Sequence, residues 1–374
     1  MRRFYNLSRL VAVSLALLLV AAGSSMQGGS RQAASIPNQG VDDNYGVSGG
    51  NVNNISKRFC CSGTLGSLVT DGINNYILSN NHVLADSDQG HVGDAISQPG
   101  LVDVNCNASG ARIVANLTAW PLLGGTNVDA AVAQLVAPSI MNTTGSIEGI
   151  TGLPSTIAKT PSVGLAVEKS GRTTGVTTGS VQSVNTSVSV RYTTTCGGHK
   201  SFTISYINQV VITPGTFSAG GDSGSLIVTS SDSTCPQPVA LLFAGSSSET
   251  IGNPIGEVLS KAAAALGKPA INFVGQTCGT ATAAQPQVDS RGGKVPGISD
   301  FAVANATMAM RAREHDIMAR PGVIGIGIGA SAVNPSEAVI VVYVDNALGM
   351  TTPLPRRING VRVERIATDP FVAY

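Results

Sequence analysis

Short apolar or β-branched runs, each closed by Gly, Asn, Ser, Asp or Pro, recur along most of this chain. Tyr76-Ile77-Leu78-Ser79, residues 130–135, residues 187–192, Gln209-Val210-Val211-Ile212 and Ser225-Leu226-Ile227-Val228 are examples. Runs of this length are too brief for a stable helix, and their punctuation supplies turns, so the pattern predicts short antiparallel strands in an all-β sandwich or barrel. With 44 Gly and 18 Pro but only 12% charged residues among 374, the composition agrees with many turns and few salt-bridged helices. A net charge of +1 excludes nucleic-acid binding through a basic surface, and 43% hydrophobic residues exclude a disordered or acidic-tail protein.

Arg2, Arg3 and Arg9 precede or open onto the uncharged apolar residues 10–22, which are followed by Gly23, Ser24 and Ser25. This is the order of a secretory signal, and the run is shorter than the roughly 20 residues a bilayer requires. Residues 1–25 are therefore expected to be a signal peptide, and the protein secreted or periplasmic, with no membrane association after signal removal. An oxidising compartment lets Cys60, Cys61, Cys106, Cys196, Cys235 and Cys278 pair. Pairing Cys60 or Cys61 with Cys106, and Cys196 with Cys235, keeps each bridge within one half of the body. With no CxxC and no Cys–His spacing of a zinc site, neither a metal nor another cofactor is expected.

Charge density divides the chain: 25 of the 262 residues from 24 to 285 are charged, against 17 of the 89 from 286 to 374. A Gly-, Ala-, Thr- and Gln-rich stretch lies between them. The expected division is a body at 26–280, a linker at 281–297 and a small C-terminal α+β domain at 298–374. In the body, residues 256–266 have helical spacing closed by Gly267 and Pro269. In the small domain Ser299 can cap a helix over 300–319, followed by strands over 323–329, 338–345 and 360–366. Gly325-Ile326-Gly327-Ile328-Gly329 resembles part of a dinucleotide fingerprint. No helix follows it, so it reads as a strand with one glycine face for close packing.

The segment Gly220-Gly221-Asp222-Ser223-Gly224 carries the chemistry. A serine hydroxyl attacks a carbonyl at neutral pH only when a base removes its proton and donors hold the resulting oxyanion. Gly221 and Gly224 permit a tight turn that projects Ser223 and aims the N–H groups of Gly221 and Ser223 at one point. Among four histidines, His82 ends the strand-like run 76–79, a rigid edge suited to a general base. Asp129 is an isolated acid heading the apolar run 130–135, placed to hold an imidazole Nδ1 proton.

Taken together these residues resemble the trypsin-like serine peptidases of the chymotrypsin fold. The resemblance rests on Cys61-Ser62-Gly63-Thr64-Leu65, residues 79–84, Val128-Asp129-Ala130-Ala131 and Gly221-Asp222-Ser223-Gly224, in that order. It spans roughly residues 45–270, and Lys169-Ser170-Gly171-Arg172-Thr173-Thr174-Gly175 is similar to text in a bacterial-type branch that carries an accessory small α/β domain. It implies two antiparallel six-stranded β-barrels with His82 as base, Asp129 as orienter and Ser223 as nucleophile. It also implies an oxyanion hole from Gly221 and Ser223, and polypeptide substrates. Phe217 takes the position at the base of the family's substrate pocket and Gly245-Ser246 a wall. Lacking an acid there, the pocket is expected to refuse Arg and Lys and to take small or medium apolar side chains.

Leu84 stands where the family has a cysteine, so Cys61 needs another partner or stays unpaired, and the family's activating Ile-Val-Gly-Gly terminus is missing. Asp222 is thus left without the terminal ammonium that ordinarily pairs with it. Arg172 reads as a structural partner of a nearby acid or carbonyl. The small domain is expected to meet the peptidase cleft or to serve as a spacer. The alternative function is a catalytically silent scaffold acting as an extracellular binding module. An esterase of the α/β-hydrolase type is excluded by the order His, Asp, Ser.

Overall fold

The computed structural model describes residues 39–56, 59–230, 234–278, 297–348 and 353–374. The signal expected at 1–25 and nearly all of the linker expected at 281–297 lie outside them. The first set of strands is β1 (Val47–Asn51), β2 (Gly63–Leu65), β3 (Ser67–Thr70), β4 (Asn75–Ser79), β5 (Ala95–Gln98), β6 (Arg112–Ala119) and β7 (Ala131–Leu135), with a one-turn helix α1 (Asn81–Leu84) after β4. Their hydrogen-bonded order is β3-β4-β7-β6-β5-β1-β2. Only Gly66 separates β2 from β3, so the last strand runs directly into the first and the sheet closes as a six-stranded barrel. Leu68, Ile77, Leu78, Val114, Val132 and Ala133, distributed over both faces of this sheet, are all wholly buried.

A second set follows: β8 (Ala166–Lys169), β9 (Thr177–Thr193), β10 (Ser201–Thr213), β11 (Leu226–Thr229), β12 (Pro238–Gly245) and β13 (Thr250–Pro254). The order β10-β13-β12-β11-β8-β9, with β9 also pairing β10, closes a second six-stranded barrel. Helix α2 (Ile255–Ala265) and strand β14 (Asn272–Phe273), which pairs β3, return the chain to the first barrel. These are the two barrels expected. The helix predicted at 256–266 lies within one residue of α2.

The C-terminal segment comprises α3 (Asp300–Arg311), α4 (Glu314–Met318), β15 (Val323–Ala330), β16 (Ala338–Asp345), β17 (Arg357–Ile358), β18 (Val361–Thr368) and β19 (Phe371–Ala373). Ser299 Oγ accepts from the Ala302 N–H as the expected cap. The single helix expected over 300–319 is broken at Arg313 (φ −132°, ψ 6°). Arg311, just before the break, reaches Glu314 Oε2 at 2.5 Å, and Glu314 is also bound by Ser187 of β9, so tertiary contacts set the break.

Strand β15 pairs antiparallel with β9, carrying β16, β18 and β17 onto the second barrel's sheet. The glycine face of β15 is what permits this approach: a side chain at Gly327 would collide with Thr186 of β9. Strand β19 then lies antiparallel on β12, with Ala373 opposite Ala244 and Val372 opposite Gly245. It also runs parallel to β9, pairing Phe371 with Val190.

The disulfides are Cys60–Cys106, Cys61–Cys196 and Cys235–Cys278. The expected Cys196–Cys235 bridge is corrected: the β9–β10 hairpin carries Cys196 across to the first barrel, where it meets Cys61, and Cys235 pairs beyond α2. Among the described residues no helix is long and apolar enough to cross a membrane, and no group of three or more His, Cys, Asp or Glu could hold a metal ion.

Candidate active site

Strand β4 ends at Ser79, whose hydroxyl donates to the Thr64 carbonyl (2.7 Å), and the chain turns at once into α1. The Asn80 side chain donates to the Asp129 carbonyl (2.7 Å), which ties the turn to the head of β7. This brings the His82 ring onto Asp129: Nδ1 to Oδ2 is 2.6 Å, and the His82 backbone N–H reaches Oδ1 at 3.2 Å. Asp129 is wholly buried, and its own N–H donates to Asn253 Oδ1 (2.9 Å) from β13. A buried carboxylate that accepts an Nδ1–H fixes the imidazole tautomer with Nε2 toward the cleft.

A further donor reaches the same carboxylate. Tyr192 Oη, from the second half of β9, donates to Asp129 Oδ2 (2.9 Å) and also meets Tyr206 Oη (2.7 Å). Both phenols are buried, which raises their pKa values above the ordinary tyrosine range, with the Asp129 charge adding to the effect. Sequence reasoning missed Tyr192, because in an alternating strand it reads as an ordinary sheet aromatic.

Ser223 sits between Gly221 (φ +99°) and Gly224 (φ +94°), backbone angles that favour glycine. Its carbonyl accepts from the Thr64 N–H (2.8 Å), which docks the loop on β2. The N–H groups of Gly221 and Ser223 make no hydrogen bond to another described residue. Asp222 holds the loop from behind. Its carboxylate accepts from the N–H of Thr173 (2.7 Å), Thr174 (3.1 Å) and Ala219 (3.0 Å), and from Thr174 Oγ1 (2.6 Å).

Asp222 also has a cation. Lys169 Nζ lies 3.5 Å from Oδ2, both side chains being wholly buried, and donates to the Gly175 carbonyl (2.9 Å). Burial lowers the Lys169 pKa and the Asp222 charge opposes that shift. Lys169 therefore occupies the role left open by the missing terminal ammonium. Arg172 is a structural partner as expected, with Nη2 and Nε on Asp103 at 2.6 and 3.2 Å.

The bonds that would join Ser223 to His82 go elsewhere. Ser223 Oγ donates to the Phe243 carbonyl (3.2 Å), and His82 Nε2 meets the carbonyl oxygen of Tyr374 (3.0 Å). Tyr374, which sequence reasoning did not single out, follows β19 directly. Its phenol donates to the Ser246 carbonyl (3.3 Å) and interacts with the Ser218 side chain. Burial pushes that phenol up to about 12. A side chain on Gly245 would collide with Tyr374 Oη. Phe217 is wholly buried in the second barrel, its ring 5.8 Å from Lys169 Nζ, and the next residue, Ser218, is the one that reaches the phenol. A cavity of about 90 Å³ beside His82 is lined by His82, Tyr192, Cys61, Cys196, Ala373 and Tyr374, among others.

No protein-family model matches this chain, and no curated protein does. Among solved structures the chain is similar to a glutamic acid specific serine protease described as using a histidine triad in substrate binding. The identity is 21%, covering 61% of this chain and 98% of that one, with a TM-score of 0.41. It is also similar to Thermobifida fusca Protease A, at 17% identity over 63% of this chain and all of that one (TM-score 0.39). An alpha-lytic protease homolog, N4, is 22% identical over 56% and 92% of the two chains (TM-score 0.34).

Proposed function

We propose that this chain is an exported serine endopeptidase acting on polypeptides through an acyl-enzyme. The observation that carries the reading is the buried His82–Asp129 pair at 2.6 Å, on the face of the first barrel where Thr64 holds the Ser223 loop. In the first step Ser223 Oγ bonds to the substrate carbonyl carbon while His82 Nε2 takes the Oγ proton. The N–H groups of Gly221 and Ser223 hold the oxyanion. His82 then gives that proton to the departing amine as the C–N bond breaks, leaving an ester on Ser223. Water, deprotonated by His82, attacks the ester, and the proton returns to Ser223 as the Oγ–C bond breaks. Asp129 stays ionised throughout and stabilises the imidazolium.

The proposal extends to the domain arrangement: a secreted or periplasmic peptidase body at 26–280, and a small domain at 298–374 that contacts the body's cleft. The pairing of β19 with β12 supports that contact. The second reading, a silent binding scaffold, draws on the engagement of His82 Nε2 by Tyr374 rather than by Ser223. Labelling with a fluorophosphonate separates the two, since only a serine with a working base and oxyanion hole reacts quickly. The peptidase reading expects labelling that Ser223→Ala abolishes. Absence of labelling after Tyr374→Gly opens the cleft would establish the scaffold.

A further inference from the structure

Strand β12 borders the nucleophile loop: Leu242 O accepts from the Gly224 N–H (2.9 Å), and Phe243 O from Ser223 Oγ (3.2 Å). A peptide bound there must add to that strand through main-chain hydrogen bonds, place a side chain beside the nucleophile loop and bring its acyl group to Ser223 with the oxygen toward the N–H groups of Gly221 and Ser223. Residues 372–374 meet the first two and set the Tyr374 backbone oxygen on the base itself. Val372 and Ala373 lie opposite Gly245 and Ala244 in antiparallel register, and the Tyr374 carbonyl oxygen is 3.0 Å from His82 Nε2. The Tyr374 side chain enters the space that Gly245 leaves open, where Ser246 O accepts its hydroxyl proton and Ser218 lies within reach. Ser223 beneath is wholly buried.

We infer that the pocket beside Ser223 is a recognition site for a tyrosine-type side chain, that substrates carry an aromatic residue on the acyl side of the cut, and that residues 372–374 fill this site in place of a substrate. The inference rests on the peptidase reading and names the substrate class. The polar groups at the far end of the pocket fit a phenol. The Ser246 carbonyl accepts the O–H, and the Glu249 carboxylate is already engaged by the hydroxyls of Ser246 (3.0 Å) and Ser248 (2.6 Å). A second anchor fixes the register from outside, for Thr368 Oγ1 meets Ser246 Oγ (2.7 Å) and Ser248 Oγ (2.8 Å).

The occupied site is also a resting one. His82 is flanked by the Asp129 carboxylate at Nδ1 and the Tyr374 backbone oxygen at Nε2. With Nε2 so occupied it does not meet Ser223 Oγ, which donates to the Phe243 carbonyl instead. The expectation that the pocket prefers small or medium apolar residues gives way here to an aromatic preference.

The test uses the full chain with Tyr374→Gly, the same chain with Tyr374→Phe, and Tyr374→Gly combined with Ser223→Ala. Binding of the amidated heptapeptide Thr-Asp-Pro-Phe-Val-Ala-Tyr to the double variant is measured by calorimetry against the same peptide ending in Ala, Glu or Arg. The Tyr peptide is expected to bind at least about tenfold more tightly, as a pocket built to accept a hydroxyl discriminates against side chains that leave it unfilled. Equal or tighter binding of the Ala, Glu or Arg peptide overturns the inference. Fluorophosphonate labelling is expected to be about tenfold faster in Tyr374→Gly than in the unmodified chain, with Tyr374→Phe, which keeps the ring but loses the hydroxyl contacts, between the two. Equal rates in all three overturn the occupancy. Failure to label any of them while the Tyr peptide still binds selectively removes the peptidase reading and leaves the recognition site standing.

Discussion

Tyr192 and Asp129 are joined by a 2.9 Å hydrogen bond onto Oδ2, the same carboxylate oxygen that holds His82 Nδ1. Two donors on one oxygen fix the carboxylate plane, and the His82 backbone N–H occupies Oδ1. Because the Tyr192 phenol is wholly buried, nothing in solvent can replace it. On the proposed mechanism Tyr192 is thus a positioning residue, acting through Asp129.

Tyr192→Phe keeps the ring, which stacks on Phe202 with centroids 5.4 Å apart, and removes only the donor. A hydrogen bond to a charged group contributes about 1.5–3 kcal/mol. Turnover is therefore expected to fall roughly tenfold or more, with KM nearly unchanged because Tyr192 does not hold the scissile bond. Kinetics on a tyrosyl peptide anilide check this. An equal loss through KM, or a fall in thermal stability with kcat intact, would assign Tyr192 a structural role alone.

Lys169→Met leaves the Asp222 carboxylate buried without its cation, although its four hydrogen-bond donors remain. Removing one partner of a buried pair costs about 3–5 kcal/mol. Since Asp222 precedes Ser223, fluorophosphonate labelling is expected to slow along with the loss of stability. Lys169→Arg, which keeps the charge, should recover part of both. Denaturant titration and labelling rates on the three proteins decide the matter, and an unchanged Lys169→Met would show that the four donors alone hold the loop.

Much of this site was legible in the sequence because each signal was local. A histidine at the end of an apolar run, an acid at the head of another and a serine between turn glycines each carry their reason within a few residues. Tyr192, Lys169 and Tyr374 carried no such mark. Tyr192 alternates like any strand aromatic, and Lys169 stands in a run, Glu168 to Arg172, that looks like a solvated turn. Tyr374 matters only through His82 and through Ser246 and Ser218, all more than a hundred positions away. The same distinction separates β15, β16 and β18, whose runs were evident, from the pairing of β15 with β9 that joins the C-terminal strands to the second barrel. It also separates cysteine content from cysteine connectivity, because Cys61 and Cys196 meet through a long hairpin, 135 residues apart in sequence.

Asp86, on the cavity wall near His82, is partly buried, and that burial, with the charge of Asp94, raises its pKa from 3.8 to about 6. A carboxyl whose folded pKa lies above its unfolded value binds more protons when folded, so stability is greatest at the acid end and falls as pH rises from about 4 to 6. Asp86→Asn removes the charge and still tolerates the positive φ of 47° at this position. Its melting temperature is expected to exceed that of the unmodified chain at pH 8, with the difference closing toward pH 4. Melting curves at pH 4, 6 and 8 measure it, and a difference independent of pH would remove Asp86 as its source.

The Cys61–Cys196 bridge ties the turn of the β9–β10 hairpin to the residues just before β2, and both cysteines line the cavity that holds Ala373 and Tyr374. The same hairpin carries Tyr192 to Asp129, so the bridge restrains the strand that supports the Asp129 carboxylate as well as the cleft rim. Cys61→Ser combined with Cys196→Ser opens a loop of more than a hundred residues, and loss of such a bridge costs about 2–5 kcal/mol. A lower denaturation midpoint is expected, together with faster fluorophosphonate labelling, because a looser rim releases residues 372–374 more often. The double variant Cys60→Ser with Cys106→Ser is the control, since that bridge stays within the first barrel's loops. It should lower the midpoint while leaving the labelling rate nearly unchanged. If both pairs changed labelling alike, the rim would have no special part in holding the cleft closed.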